Sequence, residues 1–277
     1  MKFFRYINLG YVDYVVICCL LVAAFLIPIF NLPAAAGLAN AVPAVFAIAA
    51  GFFINDAMQN YLRLQTLIAE EDATLISLAH ALRSAPGIDS GPVERAIDAY
   101  LIKVLEANNI DHISHSQKEF EALLSSIDAA IRETASTESV DETLQSDRDR
   151  LLDISQEVTI AARTNLTFSH WLLLGILGVL VCVTLLAMRD GTLLAEITIG
   201  LMMVAVYAIL VVLRDIDNNQ YLERKLAFKT SVRVFYALNT PPYFPPGIPK
   251  NRIIPDEKGQ YRTTNEKGEI ELVTKTV

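Results

Sequence analysis

The sequence predicts an all-α integral membrane protein with four transmembrane helices in two hairpins, a cytoplasmic helical bundle inserted between the hairpins, and an extended C-terminal tail. Of the 277 residues, 53% are hydrophobic, which is high for a soluble protein. No Asp, Glu, Lys or Arg occurs between Asp13 and Asp56, and that run is about twice the ~20 apolar residues needed for one helical crossing. Two later runs, 164–188 and 197–213, are also uncharged, and each fits one further crossing.

The first long run divides into two predicted spans. Residues 14–30 form the first span, and the second runs from about Ala39 to Asn55. Between them, Asn31 to Leu38 contains Pro33 and Gly37, residues at which a chain turns readily. The second span is rich in Ala and Gly, and small residues let helices approach closely. We therefore predict that it is the inner helix of an assembly.

The middle of the chain predicts about four helices. Apolar residues recur at helical spacing beyond Asp56, so the second span is expected to continue out of the bilayer until Ala85-Pro86-Gly87. Gly91-Pro92 opens the next helix. Two capping boxes, Ser116 to Glu119 and Ser139 to Glu142, predict the starts of two more. In each box the serine hydroxyl accepts a backbone N–H and the glutamate reaches back.

These elements predict four regions along the chain. They are an N-terminal segment with the first hairpin (1–55), the cytoplasmic bundle (56–163), the second hairpin (164–213) and the cytoplasmic tail (214–277). In this arrangement every Lys and Arg except Arg189 lies on one side of the membrane. Positive charge is enriched on the cytoplasmic side. We therefore expect a multi-pass protein of a bacterial inner membrane with both termini cytoplasmic.

The tail contains several kinds of segment. Residues 221–238 mix basic and apolar side chains, and they fit a helix or an extended segment at the membrane surface. The prolines of 241–249 exclude a helix and favour extended chain. Residues 260–273 have the pattern of a β-hairpin. An isolated hairpin is marginally stable, so this one is expected to pack on a partner, such as a neighbouring subunit, or to be disordered.

Charge and motif content exclude several classes of function. Residues 56–163 contain 20 acidic and 9 basic residues, a net charge of −11, which argues against nucleic-acid binding. No glycine-rich phosphate loop or nucleophile elbow occurs, so no catalytic site and no cofactor are predicted. Cys18, Cys19 and Cys182 lie inside predicted spans and are expected to be packing residues.

Two polar groups are candidates for metal sites. Asp111 to His115 supplies two imidazoles in a predicted loop but no third ligand at a recognised spacing. Glu70, Glu71 and Asp72 are consecutive, and consecutive residues point to different sides of a helix. We expect a polar surface loop and a solvated helix face, respectively, and no metal. His170 and Glu196 lie at span ends and are expected to be interfacial.

Several short motifs carry a resemblance to a known family. They are Phe53-Ile-Asn55 at the end of the second span, Glu70-Glu-Asp-Ala73, Arg148-Asp-Arg150-Leu with Arg163 ahead of Trp171, and Arg214-Asp-Ile-Asp217-Asn218. Residues 12–217 resemble the bestrophin-like membrane domain, a bacterial family distantly related to the bestrophin anion channels.

The resemblance implies a homopentameric channel whose second spans line a central pore. In bestrophins an apolar neck is formed by residues four apart on that helix, and with Phe53 as anchor the matching positions are Val45, Ala49 and Phe53. Bestrophin necks use bulky residues, whereas Ala49 is small. The resemblance implies anions as the permeant ions, but the acidic middle region would concentrate cations.

Two hypotheses for function follow. The first is an oligomeric ion channel in the lipid bilayer that conducts small inorganic ions, with anions favoured by the resemblance. The second is a non-conducting membrane scaffold or accessory subunit that binds a protein partner through its cytoplasmic bundle and tail. The length of the chain after Arg214 favours the scaffold, since a pore does not need it.

Overall fold

The computed structural model describes residues 10–26, 35–85, 87–107, 112–133, 138–164, 166–217, 227–246, 260–265 and 268–274. These residues are mainly helical. In chain order the elements are α1 (Tyr11–Leu26), α2 (Ala35–Ser84), α3 (Gly91–Ala107), α4 (His112–Glu133), α5 (Glu138–Arg163), α6 (Phe168–Ala187), α7 (Leu193–Asp217), α8 (Ala227–Ala237), β1 (Gln260–Thr264) and β2 (Ile270–Thr274).

The chain divides into two compact units. Unit 1 comprises Met1–Tyr61 and Asn165–Tyr221, and unit 2 comprises Leu62–Thr164 and Leu222–Val277. The helix α2 belongs to both units because it continues without interruption from Ala35 to Ser84. The prediction that the second span continues beyond Asp56 as one helix is therefore confirmed.

Unit 1 contains the apolar helices. Within the described residues, three helices are long and apolar enough to cross a membrane, and they are Asn40–Ser84, Phe168–Ala187 and Leu193–Asp217. The fourth apolar helix, α1, has 16 described residues, which is below the usual length of a crossing. The predicted turn from Asn31 to Leu38 is too long, since 35–38 already belong to α2. Residues 31–34 lie outside the described residues, so the four-span hairpin layout stays a prediction.

The loop between α6 and α7 turns tightly at Arg189-Asp190-Gly191. Gly191 has a φ of 80°, a conformation that glycine adopts without the strain a side chain would bring. One Asp190 carboxylate oxygen accepts hydrogen bonds from the backbone N–H of Thr192 at 2.9 Å and from its hydroxyl at 2.8 Å. This local bonding lets α7 begin directly after α6.

Unit 2 is built on a continuous hydrophobic core. The C-terminal half of α2 packs with α3, α4 and α5 through apolar residues at helical spacing, including Leu75, Leu78, Leu82, Ile97, Leu101, Leu123, Ile127, Leu144 and Leu151. The predicted break after α2 is confirmed, since α2 ends at Ser84 and α3 begins at Gly91. Asp89 accepts a hydrogen bond from the Gly91 backbone N–H at 3.0 Å, which stabilises the start of α3.

The helix start predicted at Ser116 needs correction, whereas the one predicted at Ser139 agrees to one residue with the start of α5 at Glu138. The helix α4 begins at His112, so 112–115 are helical rather than a loop. Ser116 is completely buried inside α4 and therefore does not cap it. A Ser-x-x-Glu pattern also occurs inside helices when the serine faces the core, and the sequence alone does not separate the two cases.

The described part of 221–238 takes the helical of the two predicted alternatives. Residues 227–237 form the helix α8, and its side chains Val234 and Phe235 are fully buried in the core of unit 2. The predicted hairpin is confirmed: β1 and β2 are antiparallel, with Arg262 opposite Leu272. Phe244 and Tyr261 join the same core, so the chain itself supplies the surface that the hairpin needs.

Candidate pore-lining surface

Within unit 1, the helix α2 has one face that packs on its own protomer. The residues of this face recur every three or four positions, and they are Val42, Phe46, Ala50, Phe53 and Ala57. They pack with Leu174 and Val181 of α6 and Met203 of α7. Gly178 of α6 faces this surface, and a Cβ there would lie 3.7 Å from the Phe46 ring, an ordinary van der Waals contact.

A second face of α2, centred about 120° around the helix axis from the packed face, is exposed. We call the five residues Val45, Ile48, Phe52, Asp56 and Gln59 the α2 stripe. At about 100° per residue, all of them project within roughly 40° of Phe52 around the helix axis. Val45, Ile48 and Phe52 are 52%, 74% and 68% exposed, and Asp56 and Gln59 are also exposed. The stripe is thus apolar along its first part and polar at its end.

The three residues predicted to line the pore fall on different sides of α2. Val45 belongs to the stripe, Ala49 is half-buried, and Phe53 is only 8% exposed. The reason is geometric, because a spacing of four residues advances about 40° around an α-helix. Two such steps add up to about 80°. A series that begins on the exposed face with Val45 therefore ends on the packed face with Phe53.

Phe53 packs directly behind the stripe. Its ring lies 5.8 Å from that of Phe52 in an edge-to-face arrangement and 4.9 Å from the imidazole of His170 on α6. The His170 Nδ1 lies 3.1 Å from the Thr167 hydroxyl. Because aromatic pairs in this geometry attract, Phe53 holds the Phe52 side chain in place from inside the protomer.

The helix α1 is attached to α7 by a buried carboxylate. Asp13 accepts hydrogen bonds from two nitrogens of Arg214, at 3.0 and 3.1 Å, and from the hydroxyl of Tyr207 at 2.7 Å. The Gly10 backbone N–H donates at 2.8 Å. A carboxylate buried this fully needs such partners, and this pair ties the beginning of α1 to the end of α7.

A second carboxylate ties the start of α6 to the end of α7. Asp217 accepts hydrogen bonds from the backbone N–H of Leu166 at 2.8 Å and from the Trp171 indole at 3.3 Å. At the other end of these helices, Arg189 and Glu196 form an ion pair at 2.6 Å. The Asp217 and Trp171 motifs therefore have a structural role, and Glu196 is an ion-pair partner rather than a free interfacial group.

In unit 2, the three consecutive acidic residues 70–72 of α2 contact three different side chains. Glu70 pairs with Arg150 at 2.6 Å, Glu71 accepts a hydrogen bond from the Tyr100 hydroxyl, and Asp72 lies 3.4 Å from the Ser231 hydroxyl. Glu71 and Asp72 are buried, so the prediction of a solvated face is wrong for them. Burial, together with the nearby Glu71 carboxylate, raises the pKa of Tyr100 well above its ordinary value.

Sequence reasoning missed Ile48, Phe52 and Asp56 as candidate site residues. The sequence does contain a signal for this surface. The large apolar residues of 40–56 form two sets that point in different directions from the helix, and only one of these sets points in the same direction as Asp56. For metals, the described part of the chain contains no group of three or more His, Cys, Asp or Glu placed to hold an ion. Asp111 lies outside it.

The chain is similar to known bestrophin proteins. The family described as the Bestrophin-like domain matches residues 31–218. A bacterial bestrophin homologue from Klebsiella pneumoniae has 10% identity and a TM-score of 0.62, covering 83% of this chain and 99% of that chain. A second solved structure, described only as a membrane protein, has 10% identity and a TM-score of 0.65, covering 83% and 98%. At this identity the likeness shows the fold. No curated protein matches the chain.

Proposed function

Because the chain belongs to the Bestrophin-like domain family, we propose that it forms an oligomeric ion channel in which α2 lines the pore. The supporting observation is the α2 stripe. One face of α2 packs on its own protomer, and the α2 stripe carries exposed side chains that become polar at Asp56 and Gln59. These two polar residues directly follow the predicted span 39–55, and in the proposed channel they lie at the cytoplasmic end of a water-filled path between several copies of α2.

The apolar part of the stripe fits a constriction. Ile48 and Phe52 are the most exposed large side chains on this part of α2, and rings of apolar side chains restrict ion flow by excluding water. Among the residues first predicted from the resemblance, Val45 lies on this surface and Ala49 at its edge. Phe53 acts on the pore in this proposal by supporting Phe52.

The assembly follows the family resemblance. We propose a homopentamer in a bacterial inner membrane, with both termini and the bundle 56–163 in the cytoplasm. The exclusion of Lys and Arg other than Arg189 from the outer side supports this orientation. It requires α1 to cross the membrane together with residues that follow Leu26. The resemblance favours anions as the permeant ions, so chloride and potassium have to be measured separately.

The scaffold hypothesis depended mainly on the tail. Val234, Phe235 and Tyr243 are fully buried in unit 2, and Arg262 pairs with Asp98 of α3 at 2.5 Å. The described tail residues therefore have a partner surface on their own chain. The length of the tail itself agrees with either function.

The test of the channel proposal is ion flux through the purified full-length protein in liposomes. We expect flux from the wild type and a clear increase for Phe52→Ala, because a smaller side chain widens the constriction. Phe53→Ala should change flux less while lowering thermal stability, since it empties a packed site. Absence of flux from a folded, uniform oligomer would contradict the proposal and would support the scaffold.

A further inference from the structure

We infer that Asp56 forms the charged ring that selects the permeant ion, and that the ring selects cations. The inference rests on the proposed channel, because it needs several copies of α2 around one path. Asp56 lies one turn beyond Phe52 on the α2 stripe, and its side chain is exposed. It is also the first charged residue after Asp13, since 14–55 contains no Asp, Glu, Lys or Arg.

The Asp56 carboxylate is free to act on ions. Among the residues that the structure describes, it makes no hydrogen bond or ion pair. The neighbouring positions Ile54 and Ala57 turn towards the protomer and pack on its core. The Asp56 side chain is itself exposed, and none of the residues that the structure describes pairs with its charge.

Other charged residues at the same helical phase are paired. Arg63 lies seven residues after Asp56, and its guanidinium contacts Glu157 at 3.0 Å. Glu70 lies seven residues further and contacts Arg150 at 2.6 Å. Each of these pairs has no net charge, so neither reverses the negative field of Asp56. The rest of this region, 57–163, has a net charge of −10, so it supplies no excess of positive charge to offset the Asp56 carboxylate.

The physical consequence is a preference for cations. In a symmetric assembly each copy contributes one Asp56 carboxylate at the same height, and a ring of like charges at a narrow opening sums its field. Such rings of Asp or Glu are a general device for passing cations and repelling anions. The aromatic edges of Phe52 carry only partial charges, which a full carboxylate outweighs.

The experiment is a reversal-potential measurement on the full-length protein in bilayers under a potassium chloride gradient. For the wild type we expect a reversal potential closer to the equilibrium potential of potassium than to that of chloride. Asp56→Asn should lower the potassium-to-chloride permeability ratio by about tenfold, the lower end of the range for field effects in clefts. Asp56→Lys should reverse the preference, and Asp56→Glu should retain it. Asp153→Asn is the matched control, because Asp153 is an exposed aspartate of α5 outside the stripe.

The outcomes separate this inference from the channel proposal. A wild-type protein that conducts but prefers chloride, or an Asp56→Asn ratio equal to that of the wild type, overturns the role of Asp56 and leaves the channel intact. A folded wild-type oligomer without current contradicts the channel itself. If Asp56→Asn does not assemble, as judged by size-exclusion profile, the comparison of Asp56→Glu with Asp56→Lys decides the question.

Discussion

At the scale of residues, the pairing of Arg262 with Asp98 is the clearest link between the hairpin and the helices. Two guanidinium nitrogens contact the carboxylate at 2.5 and 2.7 Å, and a third donates to the Pro241 carbonyl at 2.8 Å. The side chains are only 16% and 19% exposed. Planar bidentate pairs of this kind are the strong class of ion pair.

We predict that Arg262→Ala lowers the free energy of unfolding by about 2–3 kcal/mol, somewhat less than a fully buried pair would lose. The loss arises because Asp98 keeps its charge without its partner. The measurement is chemical unfolding in detergent, followed by a double-mutant cycle with Asp98→Ala. Arg63→Ala is the control: that pair is 57% and 47% exposed, and such pairs contribute less than about 1 kcal/mol. Equal losses for the two variants would contradict the assignment.

Asp147 on α5 gives a prediction about pH. Burial raises the pKa of its carboxyl above the ordinary value of 3.8, although a hydrogen bond with Ser77 opposes the rise. A carboxyl whose pKa is higher in the folded protein costs stability as the pH rises, because folding then opposes the loss of the proton. The cost is absent below about pH 3.8 and complete above the raised pKa.

Asp147→Asn should therefore raise the melting temperature at neutral pH, and the gain should shrink as the pH falls towards about 4, close to the ordinary pKa of the carboxyl. The comparison uses melting curves of wild type and variant across that range. Asp153→Asn, an exposed aspartate on the same helix, should show little dependence. A gain for Asp147→Asn that stays constant with pH would show that the carboxyl charge is not the cause.

At the scale of elements, the long helix α2 is the main determinant of the structure. It runs from Ala35 to Ser84 and contains Pro43, which removes one backbone donor near the helix start. Proline further inside a helix costs about 3 kcal/mol or more. We predict that Ala69→Pro, at an exposed position, destabilises the protein by about that amount, whereas Ala69→Ser is nearly neutral. Thermal melting checks both, and an unchanged melting temperature for Ala69→Pro would contradict a continuous helix.

The sequence predicted elements better than their orientation. Uncharged runs and apolar periodicity located α2, α6 and α7, and turn residues located the hairpin. Helical phase is less evident from sequence: positions 52 and 53 differ by about 100° around the helix, and only the structure shows that Phe52 is exposed and Phe53 packed. Whether a serine caps a helix or faces its core, as Ser116 does, depends on packing with distant segments and is not encoded locally.

At the scale of the whole molecule, the proposed channel requires several copies of the chain around one central pore. The packed face of α2 is buried against α6 and α7 of its own protomer, whereas the apolar side chains of the stripe are exposed. We therefore predict that the purified protein is a closed oligomer in detergent, with the pentamer expected from the resemblance. Mass measurement by light scattering checks this, and a monomer at all protein concentrations would contradict it.

In the proposed channel Phe52, and not Phe53, faces the ion path. The most direct test is modification by a charged thiol reagent during current recording, in a background with Cys18, Cys19 and Cys182 replaced by Ala. Phe52→Cys is expected to lose current on addition of the reagent, because position 52 is exposed along the stripe, while Phe53→Cys is expected to be unaffected. Current block at position 53 without block at position 52 would contradict the account.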